Sequence, residues 1–165
     1  MKRFILALTT IAAPLAAQGT VQTVRGQWME AHNYVLRSAQ MVPDSVLGFK
    51  PTPVVRSIGQ IAGHVAASEM SYCAAVLGEP AQDEDALEKK ATTKAAIVAL
   101  LNDSQKYCER AYAISDADAA KTIKIFGRDR TRLYGLVENA THDWEHYGNL
   151  ITYLRIKGMV PPSSQ

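Results

Sequence analysis

The sequence predicts an all-α protein built as a bundle of four long helices, and three observations carry that reading. Four segments repeat apolar side chains at intervals of three and four residues, the stretches between them are rich in Gly, Pro and charge, and no region is dominated by the period of two that marks strands. A chain of 165 residues with 47% hydrophobic and 21% charged residues is the size of one domain and can bury a sizeable core.

Residues 1–19 stand apart from that pattern. Met1-Lys2-Arg3 is a positive start, Phe4 to Ala17 is almost wholly apolar or small, and Ala17-Gln18-Gly19 is a small-x-small cleavage site. The stretch reads as a Sec-type signal peptide cleaved near Gly19, and residues 20–165 as a single mature domain that is periplasmic or secreted. Its apolar run is shorter than the ~20 residues that span a bilayer and holds Thr9, Thr10 and Pro14, so no stable membrane anchor is expected. Losing the leader removes Lys2 and Arg3 and no acid, which leaves 16 basic against 16 acidic residues. No basic stripe interleaved with aromatics remains, and nucleic acid is excluded as a partner.

The first mature helix runs from about Val21 to Met41, with Val21, Val24, Trp28, Ala31 and Val35 as its stripe, and Pro43 ends it. His32 lies beside that stripe and reads as a core-edge or solvent-facing residue. Asp44 to Val55, with Gly48, Pro51 and Pro53, reads as a non-helical connection. Ser57 and Gln60 form a capping box that opens a second helix, which reaches Leu77 before Gly78 and Pro80. Glu79 to Ala91 is charged and reads as a solvated crossover. Thr92 and Thr93 can cap a third helix that continues through Ile97, Leu101, Ser104 and Cys108 to about Ala113. Ser115 to Arg130 is a second long connection, with a short T-I-K-I-F run that can be extended. Thr131 caps the fourth and longest helix, whose core stripe is Leu133, Val137, Ala140, Trp144, Tyr147, Ile151 and Leu154 and whose stop is Gly158.

The chemistry concentrates in that last helix, in A-T-H-D-W-E-H-Y-G-N-L-I-T-Y from Ala140 to Tyr153. His142 and His146 are four apart, so their rings share one face and can converge on a cation. Asn139, His142, His146, Asn149 and Tyr153 form a polar row on a helix that is otherwise buried, and buried polar groups need partners. A catalytic divalent site usually takes three protein ligands and keeps a position for water, so a third histidine from another helix is required. His64, flanked by Gln60 and Ser68, is the best placed, although alone it reads as a hydrogen-bonded histidine. His142, Glu145 and His146 also spell H-x-x-E-H, an inverted zinc-protease signature, but only 19 residues follow His146 and that family needs a distant carboxylate on a larger fold. Glu145 remains a candidate base beside the metal, with a solvent-facing role the commoner one for such a residue. Glu69 lies about 140° around the helix from His64 and is not expected at the same centre.

S-I-G-Q-I-A-G-H-V, H-D-W-E-H-Y-G-N-L and Y-L-R-I-K-G-M-V-P-P-S-S occur in this order, and through them the chain resembles the DinB family of small four-helix proteins from about the first mature helix to its end. The resemblance implies an up-down-down-up bundle with two long crossover connections. It implies metal binding by His64, His142 and His146, and dimerisation in many members. The ion is a divalent transition metal such as Zn, Ni, Fe, Mn or Co, among which imidazole discriminates poorly. Cys73 and Cys108 read on their own either as buried free thiols or as a pair in an exported protein. Antiparallel helices joined by a tight turn would hold them roughly 15 to 20 Å apart, whereas parallel helices would set them at matching height. The family's topology is the parallel one, and it implies a Cys73 to Cys108 disulfide.

The function expected is that of a metal-dependent hydrolase acting on a small molecule through water on a three-histidine ion. The alternatives are a non-catalytic metal-binding or structural bundle, and a thiol-dependent transferase or isomerase like some relatives. Gln60 or Asn139 is expected to hold a ligand's free ring N–H, and Asn149 and Tyr153 to orient water or substrate.

Overall fold

The computed structural model describes residues 19–165, so the leader expected over residues 1–19 lies, but for Gly19, outside the described residues. In chain order the helices are α1 (Thr20–Met41), α2 (Asp44–Leu47), α3 (Ile58–Leu77), α4 (Glu84–Lys90), α5 (Lys94–Ala111) and α6 (Asp116–Ala119). A hairpin of β1 (Thr122–Ile125) and β2 (Arg128–Thr131) then leads into α7 (Arg132–Ile156), and a short 3-10 turn spans Pro162–Ser164. Among the described residues no helix is long and apolar enough to cross a membrane.

The long helices begin where short polar side chains can meet their first free amides. Ser57 Oγ accepts from Gln60 N at 3.2 Å while Gln60 Oε1 accepts from Ser57 N at 2.9 Å, a reciprocal capping box. Thr93 and Thr131 cap α5 and α7 in the simpler way, through Ala96 N and Tyr134 N. α1 has no cap of its own side chains. Asp116 supplies it from α6, its two oxygens accepting from Thr20 N and Val21 N at 2.9 Å each, and these backbone bonds hold its carboxyl below the usual range.

Three sets of contacts fix the topology. Cys73 and Cys108 form a disulfide with their Cα atoms 5.3 Å apart, and Glu69 meets Ser104 one turn earlier on both helices, so α3 and α5 run parallel. Tyr34 stacks on Tyr147 at 4.9 Å, with Val21 and Leu136 in one apolar cluster and Val42 and Leu154 in the other, so α1 and α7 also run parallel. His64 faces His146 while Cys73 faces Asn139, so α3 opposes α7. The result is the four-helix bundle in up-down-down-up order.

Several expectations change on detail. The first connection contains α2, the crossover after α3 contains α4, and the second connection contains α6 and the hairpin. α7 keeps only part of its expected stripe inward: Ala140, Tyr147 and Leu154 are buried together with Leu136, Asp143 and Leu150, whereas Val137 is exposed and Leu133, Trp144 and Ile151 are only partly covered. His32 is fully buried rather than at an edge, because Glu69 on α3 receives its ring. The hairpin can dock because residue 135 is glycine: a Cβ there would lie 2.8 Å from both Ile125 Cδ1 and Val76 Cγ2.

Candidate metal centre

Opposed running of α3 and α7 brings His64 against the His142 and His146 pair. His142 Nε2 lies 3.3 Å from His64 Nε2 and 3.1 Å from His146 Nε2, and one ligand nitrogen from each of the three rings falls within 4.8 Å of the others. The remaining nitrogen of His64, Nδ1, is 2.7 Å from Glu88 Oε1. A carboxylate only accepts, so His64 carries its proton on Nδ1 and presents the Nε2 lone pair to the centre.

Glu88 comes from α4, the segment that the sequence reading left in solvent. Asp83 caps this seven-residue helix through Ala86 N, acids occupy its first turn and Lys89 and Lys90 its last, which suits the helix dipole. Gly63 lets it approach: a Cβ there would stand 3.1 Å from Ala91 Cβ, and the close passage puts Glu88 on His64 and Glu84 Oε2 3.1 Å from the Ser68 hydroxyl. Arg56 lies 3.7 Å from Glu88. His64, Glu84 and Glu88 also have ligand atoms within 4.8 Å of one another, so carboxylates stand directly behind one of the histidines.

The rings are held in their ligand form. Burial, assisted by His142, His64 and Arg56, pushes His146 down to about 4, and burial followed by the His64 charge also lowers His142. Both are neutral at pH 7. Four-coordinate ligation at about 2.0–2.1 Å requires ligand nitrogens roughly 3.3 Å apart, close to the spacings found here. The donor set therefore fits a divalent transition ion on charge, atom type and spacing.

None of the four expected supporting residues serves this centre. Gln60 spends its side chain on the capping box and is exposed. Asn139 is buried one turn away, where it donates to Tyr112 Oη at 3.1 Å. Asn149 faces solvent, and Tyr153 packs in the core edge-on to Phe49. Glu145 is exposed and is felt only as a charge that opposes the lowering of His142. The residues that do surround the rings are Glu88, Glu84, Ser68 and Tyr72, whose ring is 5.8 Å from that of His142.

Next to His142 the chain enters a second polar group with no solvent contact. Glu69 Oε1 accepts from Trp28 Nε1 at 2.7 Å and His32 Nδ1 at 2.9 Å, and Oε2 accepts from Ser104 Oγ. Burial opposes its charge, yet the facing His32 and these hydrogen bonds hold it below the usual range. Asp143 is the reverse case: burial and the Glu69 carboxylate push it well up, which keeps it protonated, and neither of its oxygens has a hydrogen-bond partner among the described residues. The sequence contained a signal for this layer, since Glu69 is four residues from both Val65 and Cys73 and falls on the apolar stripe of its helix.

A family model described as the DinB superfamily matches residues 27–150. A DinB-like protein from Bacillus cereus shares the fold with a TM-score of 0.70 at 15% identity, over 84% of this chain and 93% of that one. YfiT from Bacillus subtilis, described as a probable metal-dependent hydrolase with an unusual four-helix bundle topology, gives 0.68 at 14% identity, over 92% of this chain and 94% of its own. A mycothiol-dependent maleylpyruvate isomerase gives 0.65 at 14% identity, over 79% of this chain but only 60% of its own length. No curated protein matches the sequence.

Proposed function

This chain belongs to the DinB superfamily, and from that premise we propose that it is an exported, metal-dependent hydrolase of a small molecule with His64, His142 and His146 as the metal ligands. The observation that carries the reading is the convergence of three ring nitrogens, one of them on a ring whose other nitrogen is bonded to Glu88. A divalent ion held there supplies Lewis acidity, lowering the pKa of water toward 7 and polarising a substrate oxygen. The chain's own groups do the rest. Imidazole ligands bring no negative charge, so the full positive charge of the ion would be available. Glu88 orients His64 through its Nδ1. Burial, then the charges of Glu138 and Glu84, raises the Tyr72 phenol, which stays protonated beside His142 as a donor to a substrate oxygen. An oxidising compartment accords with the disulfide.

Calorimetric titration of chelator-stripped protein, residues 20–165, with Zn²⁺ is expected to show about one equivalent bound, as one three-histidine site requires. Glu88→Gln is expected to weaken binding by about 10–100-fold without changing the circular dichroism, as loss of a ligand-orienting carboxylate does. Heat that never saturates in the parent would end the metal reading. The same preparation is then screened for ester and amide hydrolysis with and without metal. One feature favours a second reading, a non-catalytic metal-binding bundle: Glu84 and Glu88 form a second donor cluster with His64, their ligand atoms within 4.8 Å of one another, behind the ring rather than at the three-histidine centre. Binding without turnover across the screen would support it.

Acid is expected to destabilise the metal-free protein through the same rings. His146 is lowered from 6.5 to about 4, so between those values the unfolded chain binds more protons than the folded one. Stability then falls as pH drops through that window, with His142 adding in the same direction. Thermal melts of the apoprotein across this range, compared with His146→Ala, check it: the variant's Tm should depend less on pH, and an unchanged dependence would assign the effect elsewhere.

A further inference from the structure

We propose that the cleft under the hairpin is the substrate subsite of the histidine centre and takes a flat organic carboxylate, a proposal that rests on reading that centre as the reacting one. The cleft has a volume of about 310 Å³ and is walled by Tyr72, Phe126, Arg128, Arg130, Tyr134 and Glu138. That is at the small end of the ~300–1,000 Å³ typical of ligand pockets. Tyr72 is the wall shared with the metal centre: its ring is 5.8 Å from His142 on one side and 5.2 Å, edge-on, from Phe126 on the other.

Strand register aims the arginines at this cleft. Ile123 pairs with Arg130 and Ile125 with Arg128, so these four share one face of the hairpin, and the buried Ile125 shows that it is the face turned to the helices. Lys124 and Asp129 pair on the opposite face, joined at 2.9 Å. Among the described residues neither Arg128 nor Arg130 has a carboxylate within ion-pair distance, although Glu138 lines the same cleft. Arg130 instead lies over the Tyr134 ring at 5.2 Å, which orients its planar fork. Two guanidiniums against one carboxylate leave the cleft positive, and such forks match a carboxylate.

Phe126 supplies independent support. It sits at φ +46° with Gly127 at +78°, a two-residue turn that favours Asn-Gly and penalises a bulky aromatic. The ring is 65% exposed, so neither backbone preference nor burial accounts for it. Backbone cost of this kind persists where a side chain is needed in place, and here it holds the Phe126 ring edge-on to Tyr72 at the cleft mouth. A flat unsaturated or aromatic body lying against these rings, with its carboxylate on the arginines, would present its other end to His142.

The test uses metal-free protein, residues 20–165, with benzoate as probe and benzamide as its neutral counterpart, followed by NMR. Benzoate is expected to shift the Tyr72, Phe126 and Tyr134 ring signals saturably, and benzamide to bind about tenfold more weakly or less, for want of the charge-assisted bonds. Arg128→Ala with Arg130→Ala is expected to abolish the difference between the two probes, whereas Lys124→Ala, on the outer face, should preserve it. Phe126→Asn is expected to raise Tm while weakening benzoate binding, a combination that a purely structural residue would not give. Equal binding of the two probes, no binding of benzoate, or full affinity in the arginine double variant would overturn the subsite. Metal content is read separately on the same preparations. Benzoate binding without metal uptake would uphold the anion site and remove the centre it serves, while metal uptake without benzoate binding removes the subsite alone.

Discussion

Glu69→Ala is expected to destabilise the fold by about 3–5 kcal/mol, the cost of breaking a buried charged group away from its partners. The carboxylate is wholly buried and accepts from Trp28, His32 and Ser104, which come from α1 and α5, while its charge keeps the buried Asp143 of α7 protonated. Alanine would leave the three buried donors facing a cavity without their acceptor. Glu69→Gln keeps the shape but offers one acceptor oxygen in place of two, so a smaller loss is expected. Asp143→Asn tests the protonation assignment from the other side. If Asp143 is neutral, the uncharged amide of the same shape can replace it at a cost of about 1 kcal/mol or less, since no hydrogen bond is lost. Guanidinium melts of the three variants check the order, and a Glu69→Ala midpoint equal to the parent's would contradict it.

Removing the disulfide is expected to cost about as much. Cys73 and Cys108 close a loop with a sequence separation of 35, for which chain-entropy reasoning gives about 4 kcal/mol. For a domain of this size that corresponds to a fall in Tm of roughly 8–16 °C. Cys73→Ala with Cys108→Ala should show it, and a reductant should lower the Tm of the parent by a similar amount while leaving the variant unmoved. A parent equally stable under both conditions would mean that the bridge contributes nothing to the fold.

How much of this was legible in the chain depends on how local each signal is. Ser57, Gln60, Thr93 and Thr131 act within one turn, and they mark three of the four long helices correctly. His142 and His146 are likewise a local pair, whereas adding His64 and the disulfide needed a topology that the family resemblance supplied. The inward face of α7 was only partly legible because Val137, Trp144 and Ile151 keep a regular apolar spacing beside the buried residues, and because Asp143 occupies a core position that only protonation makes tolerable for an acid. His32 and Glu69 were misplaced or set aside for the same reason: each looks wrong for a core until the other is opposite. Glu88 lay hidden in E-D-A-L-E-K-K, whose composition is that of a solvated segment. The hairpin was obscured by its turn, since Phe126-Gly127 lacks the Asn-Gly signal that would have announced it.

The central claim is tested most directly by elemental analysis of the untagged mature protein, residues 20–165, beside its His64→Ala variant. The account expects about one equivalent of a transition metal in the parent and little in the variant, as a site with three protein ligands from two helices requires. A parent that holds no metal after divalent ions are offered and the excess removed would contradict it.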